Sequence, residues 1–362
     1  MNKFKISWAP PSIGDEEHQR AIDVIKSNWM TQGKITHLLE NKISKILNVK
    51  HTVVVNNGTS ALQCALLSHG IGPGDEVIVP TFTFVATVNS ILSVGAKPIL
   101  VDCDLNTFNT NVDLIKSHIT PKTRAILPVD VGGMPIDVKQ FQEFVKKKNL
   151  ILIEDAAEAF GGEYCHKKIG SFGHSTIFSF HMAKVIAGVE GGCLVTNDDS
   201  IAQNARLVRS HGSAKPYDSK LFGLNMRISD IHSAIILKQL ERLEIFLSHR
   251  NKLATIYKNS LSEFSFQEIP SYVTLHPYML FGVITKPSLR NKLNLFLKKH
   301  NIETRICWPP IHTQKYHSKL FVKQKFPNSE KIYSRLINLP MGNGLSEENV
   351  NHVIQIIKKF KN

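Results

Sequence analysis

At 362 residues, 42% of them hydrophobic, the chain is long enough to bury a sizeable core and to divide into two lobes of unequal size. Its 44 lysines and arginines outnumber its 30 aspartates and glutamates, and the formal charge of +14 invites a nucleic-acid partner. The basic clusters at 146–148, 298–299 and 358–359 instead fall late in predicted helices, where cations complement the helix dipole on a solvated face. Nucleic-acid binding therefore ranks last, and no run approaches the ~20 apolar residues of a membrane span.

The opening "MNKFKISWAPPSIGDEE" lacks the apolar core of a secretory signal, so a cytoplasmic protein is expected. Cys64, Cys103, Cys165, Cys193 and Cys307 are odd in number, widely spaced and without a C-x-x-C pair. They predict buried reduced thiols, neither a disulfide framework nor a zinc site.

Short, β-branched apolar runs at 51–55, 76–80, 97–102, 124–130 and 150–155 predict buried strands, and "YMLFGVI" at 278–284 another. Helix-period segments at 59–69, 83–94, 111–118 and 137–148 alternate with the first five. This βαβ alternation predicts an α/β fold, a mainly parallel sheet flanked by helices. A large domain over 1–245 and a smaller C-terminal α+β domain over 246–362 are expected. Ligands of such sheets sit at the carboxyl ends of the strands.

Three groups fall at such ends. After "HTVVV", Gly58 permits a sharp turn and Thr59 and Ser60 open a helix whose unpaired N–H groups suit a phosphate, although an ordinary hydroxyl cap reads the same. Asp155 closes "LILIED", where it either meets a cation or caps the next turn. Ser179 and Lys184 follow in "STIFSFHMAK", where an isolated lysine would be an ordinary surface residue. Together they supply what pyridoxal phosphate needs: fixed donors for its phosphate, a carboxylate for its ring nitrogen and an amine for its aldehyde. From another class, the D-x-D spacing of Asp102 and Asp104 would suit a metal-dependent nucleotide-sugar glycosyltransferase, or simply a strand-end turn.

The motifs "NNGTSAL", "GDEVIVPTFTFVATVNSIL", "IEDAAEAFGG", "FSFHMAK", "LNMRISDIHSAI", "IETRICWPPIH" and "LPMGNGLSEENV" run in order through nearly the whole chain. As a set the sequence resembles the DegT/StrS group of fold-type I aminotransferases, which act on nucleotide-linked keto sugars. The resemblance implies pyridoxal 5′-phosphate as cofactor, L-glutamate as amino donor and a nucleotide-linked 4-keto-6-deoxyhexose as acceptor, with a 3-keto sugar as the competing acceptor. Lys184 matches the family's Schiff-base lysine, Asp155 the carboxylate facing the ring nitrogen, and Phe84 the stacking aromatic. Thr59, Ser60 and Ser179 match phosphate contacts. Asn225 resembles an asparagine reaching the cofactor of a neighbouring subunit, which implies a homodimer. Glu158 stands where many relatives carry glutamine. A subgroup of dehydratases has histidine in place of the lysine; here that position is Lys184, and His181 reads as a packed or loop residue. Arg305 and Trp308, in "RICWPP", suit nucleotide or sugar contact, or a packed loop anchor.

Overall fold

The computed structural model describes residues 4–215 and 217–360, so the first three residues of the N-terminal segment lie outside the described residues. A seven-stranded sheet organises the larger lobe. It contains β1 (His51–Val55), β2 (Glu76–Pro80), β3 (Lys97–Val101), β4 (Thr123–Ile126), β5 (Ile151–Asp155) and two later strands, Ser175–Ser179 and Gly192–Thr196. From edge to edge the order is β1, Gly192–Thr196, Ser175–Ser179, β5, β4, β2, β3. All neighbours are parallel except Gly192–Thr196, which runs antiparallel to both strands beside it. Separate apolar clusters cover the two faces, one containing Ile126, Leu152 and Phe178 and the other Ala125, Ile153 and Ile177. Strands buried on both sides show little polar alternation, which is why they read as continuous apolar runs.

The differences from the predicted elements lie at the strand ends. β4 stops at Ile126 instead of reaching 130. Pro128 has no N–H to give a ladder, though its carbonyl still accepts from Asp155 at 2.9 Å. The helix expected over 83–94 is Val85–Ser93, with Phe84 extended at its N-cap, and the segment 111–118 divides into an α-turn, Val112–Ile115, and a 3-10 turn, Lys116–His118.

The second lobe is built on a three-stranded antiparallel sheet, Ser265–Phe266, Phe281–Ile284 and Leu336–Leu339. The middle strand is shorter than 278–284 because Tyr278 turns at a φ of 46°. The helix Leu243–Ser260 runs across position 245: Phe246 and Leu247 pack in the large core, whereas Leu253 and Tyr257 pack in the second. Four cysteines are buried, but Cys165 is exposed, contrary to expectation, because it sits in a reversal at a φ of 48°. No helix of the described residues is long and apolar enough to cross a membrane.

Candidate active site

A cavity of about 890 Å³ opens at the carboxyl ends of β1, β2 and β5 and of Ser175–Ser179. Gly58, Thr59, Ser60, Phe84, Asp155, Glu158, Ser179, Lys184, Arg305 and Trp308 all line it. Asn225 does not; its side chain is exposed and its Oδ1 accepts from the Arg227 N–H at 3.4 Å.

On one wall the helix Gly58–Ser68 points its N-terminus into the cavity. The cap is Asn57, whose Oδ1 accepts the Ser60 N–H at 2.8 Å. That bond occupies one of the orphan donors and leaves those of Gly58 and Thr59 for an anion. Gly58 is required for closeness and not for an unusual turn: a Cβ there would lie 2.9 Å from the Ser179 Cβ. Helix and strand thus meet at a distance only glycine allows, and the Ser179 hydroxyl joins the same cradle.

The floor is Asp155, at the last residue of β5 and 4% exposed. Thr87 donates to its Oδ2 at 2.8 Å and the Ala157 N–H to its Oδ1 at 3.2 Å. Burial nonetheless pushes its carboxyl up to about 6, against the pull of those two bonds and of Lys184, with Glu158 adding to the rise. A carboxylate so destabilised favours a cation beside it. Thr87 was not singled out from sequence, although its place one turn beyond Thr83 in "TFTFVAT" orients it inward; the two hydroxyls lie 2.9 Å apart.

Lys184 sits in a loop after the strand Ser175–Ser179, and its Nζ lies 3.4 Å from the Glu158 Oε1. The other Glu158 oxygen accepts the Gly132 N–H at 2.8 Å, so both carboxylate oxygens are engaged. His181 is a half-exposed loop residue 3.9 Å from Glu190, and both line the mouth. On the opposite wall Phe84 and Trp308 pack with ring centroids 5.1 Å apart. Arg305 stands over the Trp8 ring and pairs with Glu303 at 2.9 Å. Trp308 is therefore both cavity wall and loop anchor.

The D-x-D carboxylates are elsewhere and occupied. Asp102 accepts from the Asn328 and Ser329 N–H groups at the start of the helix Pro327–Arg335, and Asp104 from the Asn106 and Thr107 N–H groups. They close turns, and no cluster of metal-ligating side chains exists among the described residues.

A deep pocket with an amine, a buried carboxylate and a free helix N-terminus defines, on a mixed α/β sheet, a fold-type I transferase built for an aromatic phosphate cofactor. Residues 11–358 match the model of the DegT/DnrJ/EryC1/StrS aminotransferase family. The GDP-perosamine synthase of Escherichia coli O157:H7 is 38% identical over 354 residues, covering 97% of each chain. SpsC of Bacillus subtilis (strain 168), a spore coat polysaccharide biosynthesis protein, is 32% identical, covering 98% of this chain and 96% of its own. Among solved structures, a DegT DnrJ EryC1 StrS aminotransferase from Brucella abortus superimposes with a TM-score of 0.89 at 30% identity, covering 96% of this chain and 95% of its own. The chain belongs to the DegT/DnrJ/EryC1/StrS aminotransferase family. It is a sugar aminotransferase dependent on pyridoxal 5′-phosphate.

Proposed function

We propose that the enzyme transfers the amino group of L-glutamate to a nucleotide-linked 4-keto-6-deoxyhexose, with Lys184 and Asp155 as catalytic residues. The observation that carries this is the convergence of Lys184, Asp155 and the open N-terminus of Gly58–Ser68 on one cavity. The fit to the cofactor rests on the Gly58–Ser179 contact, too tight for a Cβ, and on the buried Asp155 carboxylate, which a ring cation would stabilise. When bound, pyridoxal phosphate supplies an electrophilic carbon and a ring that accepts electron density.

The chain's own residues do the rest. The Gly58 and Thr59 N–H groups, with the Thr59, Ser60 and Ser179 hydroxyls, hold the phosphate. Asp155, positioned by Thr87, holds the proton on the ring nitrogen. Phe84, braced by Trp308, would supply an aromatic face for the cofactor ring. Lys184 would hold the cofactor through its amine, and the same amine would serve as the acid–base group that moves a proton at the donor carbon. Glu158, whose Oε1 lies 3.4 Å from the Lys184 Nζ, would help to hold the lysine at the cofactor's side. Arg305 at the mouth suits the diphosphate of the nucleotide, whose two phosphates match a guanidinium fork. One relative's name, GDP-perosamine synthase, is that of a GDP-linked amino sugar, so GDP-linked ketones are the first to test. The product, made in the cytoplasm, would feed surface polysaccharide, glycan or secondary-metabolite biosynthesis.

The test is to incubate enzyme and glutamate with matched 3-keto and 4-keto nucleotide sugars and to locate the new amine by NMR. Amination at C4 is expected. Amination confined to C3 would overturn the regiochemistry, and none at either carbon the acceptor class.

A further inference from the structure

Across the sheet from the cavity, two buried carboxyl groups each have one oxygen without a partner. Asp130 and Glu154 are both 0% exposed. Asp130 follows β4 and Glu154 lies on β5, and the parallel register that sets Val129 beside Asp155 puts both side chains on the face opposite Asp155. Each carboxyl has one satisfied oxygen. Asp130 Oδ1 accepts the Ile136 N–H at 2.9 Å, and Glu154 Oε2 accepts from His174 Nε2 and Thr176 Oγ1, both at 2.9 Å. Asp130 Oδ2 and Glu154 Oε1 have no partner and no solvent. Two buried carboxylates left so would cost several kcal/mol each, and the single His174 is already spent on Glu154.

We propose that Asp130 and Glu154 share one proton through these two oxygens, and that the acid pair, closed by His174, positions the turn that holds Glu158 against Lys184. The coupling is short. Asp130 opens the 3-10 turn Val131–Gly133, whose Gly132 N–H holds Glu158, and the Asp130 N–H donates to the Asp155 carbonyl at 3.1 Å. Burial, and next the negative charge of Glu154, push the Asp130 carboxyl well above the usual carboxylate range, with Asp155 and Glu158 adding to it. The other groups against the pair are Thr176 and His174, whose Nδ1 lies 3.2 Å from Gln142 Nε2 on the helix Val138–Lys148; burial, then the charge of Asp137 and next that of Asp130, push the Tyr272 hydroxyl up. One proton leaves the pair with a single negative charge, beside which the His174 Nε2 lies at 2.9 Å. For the role of Lys184 the inference rests on the function proposed above; the proton itself does not.

The variants are Asp130→Asn, Glu154→Gln, their combination and Asp130→Ala. Either single amide replaces the shared O–H with an N–H donor and keeps the remaining bonds, so its melting temperature should stay near the parent's. The double variant sets two N–H donors face to face and should lose far more than the two singles added together. Infrared spectra of the apo parent at about pH 8 should show a protonated-carboxyl stretch that Asp130→Asn removes. On the loaded enzyme, the pH midpoint of cofactor absorbance, which senses charge around Lys184, should move in Asp130→Ala and return in Asp130→Asn. A missing carboxyl band would overturn the shared proton, pointing to a bridging water or two ionised carboxylates, as would a double variant that is merely additive. An unmoved midpoint in Asp130→Ala would overturn the positioning role. A failure of the aminotransferase reading would leave the infrared and melting results unchanged, so the two are separable.

Discussion

At the scale of single residues, Asp155 sets function against stability. Burial chiefly raises its carboxyl from the ordinary 3.8 to about 6. The apo protein therefore has the full benefit below about 3.8 and loses it as pH rises through about 6, a difference of about 3 kcal/mol by linkage. Asp155→Asn removes the titration but weakens the bond from the Ala157 N–H, worth about 1 kcal/mol. The apo variant should thus be more stable than the apo parent by about 2 kcal/mol at about pH 8, and no more stable at about pH 4. Urea melts at the two pH values check this; equal stability at about pH 8 would remove the argument. Transamination by the same variant should fall by at least about a hundredfold, because the ring proton loses its counter-charge. Lys184→Ala should abolish turnover outright, and continued exchange of amine between glutamate and cofactor would sink the assignment of that lysine. Lys184 and Asp155 were legible because each interrupts an apolar stretch at a strand end or in the loop that follows. Thr87 and Asp130 were not, since what gives them meaning is a partner some 68 or 24 residues away in sequence.

Elements decide how tightly the phosphate cradle closes. The helix Gly58–Ser68 is anchored by Asn57 at one end and, through Gly58, lies against the strand Ser175–Ser179. Gly58→Ala raises helix propensity by up to about 1 kcal/mol but drives its Cβ to 2.9 Å from that of Ser179. Something must give, and what moves is the first turn that carries the free N–H groups. The fold should survive, with pyridoxal phosphate binding about tenfold weaker, a loss of about 1.4 kcal/mol read by fluorescence titration of the apo protein. Parent-like affinity would mean that the cradle tolerates the displacement. Most strands and helices of the large lobe were legible from apolar runs and helical periods, but their ends were not. Pro128 shortens β4, and Phe84 stays out of its helix because its ring finds Trp308, a partner more than 200 residues distant that no local pattern encodes.

At the scale of the molecule, the surface carries apolar side chains that a lone subunit has no use for. Ile22, Ile25, Trp29, Met30 and Leu38 are each at least 42% exposed on or between the first two helices, Asp15–Lys26 and Lys34–Leu47. Phe222 and Leu224, beside Asn225, and Met182 and Val189, flanking Lys184, are exposed as well. Such exposure favours a covering surface, and we propose a two-fold homodimer in which Asn225 of each chain completes the phosphate site of the other. The absence of Asn225 from its own chain's cavity supports a role across the interface. Complementation separates this from a role within one chain. In a hybrid of Lys184→Ala and Asn225→Ala chains, a shared site puts the intact lysine of one chain with the intact asparagine of the other. One of the two sites is then whole, and random exchange of equal amounts should restore about a quarter of the parental activity. If Asn225 served its own chain, every site in the hybrid would lack one group or the other. Activity that stays at the sum of the two variants after verified exchange would therefore refute the shared site while leaving the dimer itself standing.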